Sequence, residues 1–255
     1  MRARLPGFAL VGLACLVLPV PVAWARAPSD GNIVVLPGRL HVDGGGVPSA
    51  RGRVKWRKGA SETPGVACCT NRVFLLDGSG SSFETTANRF SIVLQPGASR
   101  AFRIESFDAA GRFVGDTFAP DETFVDFFEV GDDAASLWSY TGNWTHSPRH
   151  TAYAGTVSST EAPGATALYG PLTAHSFGLV VTKGPMFGAA SVYLDGRLAG
   201  TLDCHAATLR TRRIAFVLSP DRAGFDESHE IAIVNRATAG HAGLEIDGMA
   251  TLSSD

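Results

Sequence analysis

Several short constellations in this sequence place side chains capable of chemistry close together. Asp132-Asp133 and Asp226-Glu227 are paired carboxylates. Neighbouring residues of a strand point to opposite faces, so neither pair is set up as an acid/base couple, and both read as turn or linker residues. His146 and His150 bracket Ser147-Pro148-Arg149. They could share one ligand if the turn folds back, and otherwise form an exposed loop. Asp203-Cys204-His205 has the residue types of a nucleophilic set, but a relay needs groups brought together by the fold rather than by adjacency. There is no G-x-S-x-G elbow, P-loop or H-E-x-x-H, and the chain is not expected to be an enzyme. The aromatic residues Trp138, Tyr140, Trp144, Tyr153 and Tyr169 are the ligand candidates. An exposed ring offers an apolar face to the C–H face of a pyranose, whereas strand aromatics of small β domains commonly fill the core.

The elements that must position these residues are strands. The chain has 255 residues, 45% of them apolar and 18% charged, with a formal charge of −2. A core can be buried, and nothing in the linear charge pattern looks built to neutralise phosphates, so nucleic acid is not an expected partner. Arg2 and Arg4, an apolar run to Val22 and then Ala23-Trp24-Ala25 form a secretory signal peptide, residues 1–25. Cleavage is expected near Arg26, with lipidation at Cys15 the alternative. No segment of the mature chain approaches a membrane span. The protein is expected to be secreted or associated with the cell envelope. Cys68, Cys69 and Cys204 then remain, an odd set that reads as small residues filling strand positions, with no crosslink from Cys204 to the other two.

Helical periodicity is almost absent. Short runs rich in Val, Phe, Ile, Thr and Tyr alternate with Gly, Pro, Asp and Asn, the pattern of antiparallel β-sandwiches. About seven candidate strands in roughly 90 residues of the first half fit an immunoglobulin-like sandwich. Eight or nine in about 120 residues of the second half fit a jelly roll. Asp195-Gly196, between "SVYL" and "RLAGTL", is a type I′ turn signal. A two-residue loop would set Leu194 against Arg197, Tyr193 against Leu198 and Val192 against Ala199. Apolar residues then fall on both faces, which predicts a hairpin covered on both sides.

Particular motifs carry two resemblances. "VLQPGASRAFRIESFDAAGRFVG" (93–115), with Trp56 in "RVKW" and the "RVFLLDG" stretch, resembles a bacterial fibronectin type III domain over about residues 32–120. Arg100 stands near the position where that family has Tyr. From residue 134 to 253 the chain resembles a galactose-binding-like jelly roll of the carbohydrate-binding-module type. The motifs are Tyr140-Thr141-Gly142-Asn143-Trp144, Tyr153-Ala154-Gly155-Thr156-Val157, Gly184-Pro185-Met186-Phe187-Gly188, Val192 to Gly196, Ser228 to Ile231 and Ile246-Asp247-Gly248. The two resemblances imply an all-β chain of two sandwiches. They also imply a possible structural Ca²⁺, with Asp132, Asp133 and Asp247 as donors, and no other cofactor.

Residues 121–133 are the expected linker. Pro120 and the acidic residues suit that role, but Phe124, Phe127 and Phe128 point to packing between the halves or to a first strand. The expected function is a secreted, non-catalytic binding module for a glycan or an envelope component. The alternatives are a structural or protein-adhesion module without a sugar site and, more distantly, a hydrolase.

Overall fold

The computed structural model describes residues 29–57, 67–75, 80–96, 102–117, 126–219 and 227–254. The signal peptide, Cys15, Phe124, Asp226 and Arg100 lie outside the described residues.

Nine strands form the first half: β1 (Ser29–Val35), β2 (Gly38–Arg39), β3 (His41–Val42), β4 (Pro48–Arg57), β5 (Cys68–Leu75), β6 (Ser82–Thr85), β7 (Arg89–Leu94), β8 (Phe102–Asp108) and β9 (Phe113–Thr117). Eleven follow: β10 (Asp126–Asp132), β11 (Trp138–Thr141), β12 (Thr145–Pro148), β13 (Thr156–Thr160), β14 (Thr166–Thr173), β15 (Ser176–Lys183), β16 (Ala189–Leu194), β17 (Arg197–Asp203), β18 (Arg210–Leu218), β19 (Ser228–Asn235) and β20 (Leu244–Ser254). All named pairings are antiparallel, and the described residues contain no helix. Among the described residues no helix is long and apolar enough to cross a membrane.

In the first half, β4 lies between β1 and β7, with β3 on its end, and faces a second sheet in the order β6-β5-β8-β9. Period-two alternation drives this arrangement. Ala50, Val54 and Trp56 of β4 point inward and are buried, as are Val73 of β5 and Phe102 and Ile104 of β8. Trp56 meets Phe90, whose ring meets Phe102 edge-on. The turn after β8 is held by Asp108, whose carboxylate accepts from the backbone N–H of Ala110 and Arg112. The Arg112 guanidinium beside it holds the Asp108 carboxyl below its ordinary range. Cys68 and Cys69 occupy neighbouring strand positions at the start of β5, as expected. Cys204 is a free, buried thiol.

The second half is a jelly roll. One sheet runs β12-β13-β20-β15-β18-β2, with β10 also on β20; the other runs β11-β14-β19-β16-β17. Strand β20 changes partner along one edge. Leu244 to Ile246 pair with β13, and Gly248 to Ser254 pair with β10. Gly248 sits at the change with φ of 154°, and a Cβ there would lie 2.3 Å from the Gly131 carbonyl oxygen.

The stretch expected to be a linker therefore ends in a strand, and only residues 121–125 of it lie outside the described part. Phe128 is 1% exposed, in a cluster that holds Ile33, Val35, Val54 and Trp56 of the first half together with Val180, Ile214, Ala250 and Leu252 of the second. Strand β2 leaves the first half to pair with β18, and the Val35 N–H donates to Ser176 Oγ at 3.1 Å. Backbone pairing and one apolar core thus cross the boundary.

The Asp195-Gly196 turn forms with φ of 50° and 76°. The first two pairs, Leu194 with Arg197 and Tyr193 with Leu198, match expectation. Val192 then pairs with Gly200 rather than Ala199, because a bulge absorbs one residue. The expectation of cover on both sides is also corrected. β17 is the edge of its sheet, and Leu198 is 63% exposed. Leu198→Thr should therefore change stability by no more than about 0.5 kcal/mol, as read from a urea transition. A loss above about 1.5 kcal/mol would mean that the edge is covered.

Candidate functional site

An open groove of about 490 Å³ lies at one end of the jelly roll. Asn143, Thr145 and Arg149 come from β12 and its flanks, and Ser159, Thr160 and Glu161 from the end of β13. Met186 and Phe187 come from the β15–β16 loop, and Gly243, Leu244 and Glu245 from the start of β20. Two loops meet here at backbone distance. Gly243 N–H donates to the Met186 carbonyl at 3.0 Å, and Gly188 N–H to the Gly243 carbonyl at 2.8 Å. Glycine permits the approach, since a Cβ on Gly188 would lie 1.9 Å from the His241 carbonyl oxygen. Met186 is presented to solvent at 66% exposure, while Phe187 is half-buried against the core below.

The polar wall is built as firmly. Thr160 Oγ1 donates to the Asn143 carbonyl at 2.6 Å and accepts from the Ala162 N–H. Arg149 reaches the buried Glu245 carboxylate at 2.8 Å. Burial raises the Glu245 carboxyl above its ordinary range, while Arg149 and Thr182 pull it down. The groove thus combines an exposed thioether and a ring with amide, hydroxyl, guanidinium and carboxylate groups on its sides.

The five aromatic candidates lie elsewhere; none lines the groove. Trp138 and Tyr169 are opposite each other in the β11–β14 register, with ring centroids 4.8 Å apart. At 8% and 3% exposure they are core residues, so the expectation that they stack on a sugar is corrected. Tyr140 stacks on Trp138 and touches Trp144, and its hydroxyl donates to the Asp133 carbonyl at 2.6 Å. Burial pushes the Tyr140 phenol well above its ordinary range. Trp144 Nε1–H donates to the Thr141 carbonyl. Tyr153 is half-buried against the core shared by the two halves.

The proposed calcium donors meet near the partner change of β20 but do not form an ion site. Asp133 is fully buried. It accepts from Thr156 Oγ1 at 2.6 Å on one oxygen and from Ser158 Oγ at 2.5 Å on the other. Asp132 Oδ2 lies 3.1 Å from the same Thr156 hydroxyl, whose one hydrogen goes to Asp133, and Asp247 accepts from the Tyr153 N–H at 2.7 Å. Among the described residues no three His, Cys, Asp or Glu side chains are placed to hold a metal. The set Asp132, Asp133 and Asp247 does not fit Ca²⁺, because hydroxyl donors take the Asp133 oxygens that a cation would need. Burial, with Asp133, Asp132 and Glu245 nearby, raises the Asp247 carboxyl to about 7 against the pull of Tyr153 N–H. Burial and Asp133 also raise Asp132.

His146, Ser158 and Asp133 resemble a hydrolytic triad in composition but not in order. Ser158 is the middle member: it donates to the Asp133 carboxylate and so accepts from His146 Nδ1 at 2.6 Å. The imidazole cannot take the serine proton in this arrangement, and Ser158 is fully buried. His150 is exposed. The Asp203-Cys204-His205 set is also pulled apart. The Asp203 carboxylate accepts from the His205 backbone N–H, while burial pushes the Cys204 thiol up to about 12. Glu227 is exposed.

The chain is all-β, and its second half is a jelly-roll sandwich. No protein-family profile matches it, and no curated protein matches its sequence. Solved structures resemble parts of it at low identity and low TM-score. The family 35 carbohydrate-binding module from Clostridium thermocellum is 15% identical over 49% of this chain and 98% of its own, with a TM-score of 0.35. The tandem CBM22-1–CBM22-2 of Paenibacillus barcinonensis Xyn10C is 10% identical over 91% and 100%, with a TM-score of 0.30. The catalytic domain of a GH87 α-1,3-glucanase in complex with nigerose is 14% identical over 50% of this chain, with a TM-score of 0.34, and this chain spans 28% of its length. At these TM-scores the likeness says nothing about ligand or activity.

Proposed function

We propose that this chain is a secreted, non-catalytic binding protein whose jelly roll holds a glycan in the groove between Asn143 and Met186. The observation that supports this reading is the groove's composition. A pyranose has apolar C–H faces and a rim of hydroxyls. The groove offers Met186 and Phe187 to the first, and Asn143, Thr145, Arg149, Ser159 and Glu161 to the second. The segments that carry these groups are tied by the Thr160 bond to the Asn143 carbonyl and by the backbone contacts among Met186, Gly188 and Gly243, which reduces the ordering entropy of binding. The first half is read as a fibronectin type III-like sandwich from its strand orders β1-β4-β7 and β6-β5-β8-β9. Secretion rests on the signal-peptide pattern.

The test is a glycan array on the mature protein, followed by calorimetry on any hit with the Met186→Ala and Asn143→Ala variants. Both positions are surface-accessible, so folding should survive. Each variant should weaken binding by about tenfold, the scale of one lost apolar or hydrogen-bonded contact. A blank array, or variants that bind as the parent does, would leave the adhesion reading without a sugar site as the better one.

A further inference from the structure

The outward side of β4 carries a ladder of cations. Ala50, Gly52, Val54 and Trp56 turn inward and are buried, so Arg51, Arg53 and Lys55 turn outward. Arg51 and Lys55 are exposed and Arg53 is partly so. In the register with β7, Lys55 lies directly opposite the exposed Arg89, Arg53 opposite Ser91 and Arg51 opposite Val93. Neither β4 nor β7 contains an acidic residue, and none of the four cations has a carboxylate partner among the described residues. Cations along one strand face recur about every 6.5–7 Å, and the Lys55–Arg89 pair adds one about 5 Å across. Like charges directly opposite each other oppose sheet formation. The fold thus carries a repulsive array in a protein whose net charge is −2.

We infer that this sheet face docks a carboxylate-bearing polysaccharide, one anionic group per sugar along the ladder. Three of the four cations are Arg, whose planar fork matches a carboxylate in two parallel hydrogen bonds. The described outward positions of β4 and β7 carry no aromatic ring, and the sheet adds only the His41 imidazole opposite Ser49, whereas single-stranded nucleic acid is held by stacking platforms. Its one exposed large apolar side chain is Val93, too little to anchor a membrane surface. The site lies on the first half, independent of the groove.

The probe is polygalacturonate, with its fully methyl-esterified form as the uncharged control, measured by calorimetry at 50 and 300 mM NaCl. The parent protein should bind the acid form, more weakly at high salt, and ignore the ester. The Arg51→Thr/Arg53→Thr/Lys55→Thr variant keeps strand-favouring residues and relieves repulsion, so its melting temperature should equal or exceed the parent's. Its affinity for polygalacturonate should fall at least tenfold, with the slope of log K against log salt reduced by about 2. Met186→Ala should leave this binding unchanged. The inference is overturned if the triple variant binds as the parent does or the ester binds equally well. It is also overturned if duplex DNA or phosphatidylglycerol vesicles bind at the same or lower concentration, or if Met186→Ala abolishes binding.

Discussion

The Asp247→Asn variant should be more stable than the parent at pH 8 and close to it at pH 4. Asp247 is fully buried. One oxygen accepts the Tyr153 N–H, and the other has no partner and lies near Asp132, Asp133 and Glu245. Its carboxyl is raised to about 7 in the folded chain, against about 3.9 unfolded. Between those values the folded state holds a proton that the unfolded state has released. Stability from this group is therefore complete below about pH 4 and declines as pH rises through 7. Asp132 and Glu245, also raised, act in the same direction. The integrated loss is on the order of 2–4 kcal/mol. Asparagine keeps an acceptor for Tyr153, places amide hydrogens toward the carboxylates and cannot ionise. Urea midpoints from pH 4 to 8 should fall steeply for the parent and much less for the variant. Parallel profiles would show that Asp247 ionises freely in the fold.

Much of this architecture is legible in the sequence because strand alternation is local information. "GRVKW", "RFSIVL" and "FGLVVTK" fall within β4, β7 and β15, and "HEIAIVNR" overruns β19 by one residue. Type I′ chemistry at Asp195-Gly196 is equally local. What depends on distant partners is not. No feature of "RLAGTL" says that β17 is an edge, or that one residue will bulge so that Val192 pairs with Gly200. β10 is only half legible: its acidic residues read as a linker while its Phe residues allow a first strand, and the partner change of β20 decides between them. Trp138 and Tyr169 look like stacking candidates until the β11–β14 register puts them opposite each other in the core. The groove draws on residues from Asn143 to Glu245, four segments that only the topology unites. Its one local sign is Gly184-Pro185-Met186-Phe187-Gly188, where glycines flank an apolar pair, as close loop approach requires. The basic ladder does have a local signal. Arg51-Gly52-Arg53-Val54-Lys55 is charged at every second residue, and counting Lys and Arg in contiguous runs overlooks a face that only period two reveals.

Phe128 makes the two halves answerable to one measurement. It lies in the stretch with the composition of a tether, yet its ring is buried with Ile33, Val35, Val54 and Trp56 on one side of the boundary and with Val180, Ile214 and Leu252 on the other. Gly178 shows how close the packing is: a Cβ there would lie 3.0 Å from Ile214 and 3.1 Å from Val35. Phe128→Ala removes a ring that neighbours cannot follow inward, because β10 is fixed by its ladder to β20 and Val35 by its N–H to Ser176. The expected loss is about 3–5 kcal/mol, a fall of roughly 6–20 °C in melting temperature for a chain of this size. If the core is shared, the loss must appear on both sides. Hydrogen exchange over 48–57 in β4 and over 176–183 in β15 should accelerate together, and the thermal transition should remain single. Acceleration confined to residues beyond 126, with β4 exchanging as in the parent, would show that the halves are independently stable and that the contact between them carries little free energy.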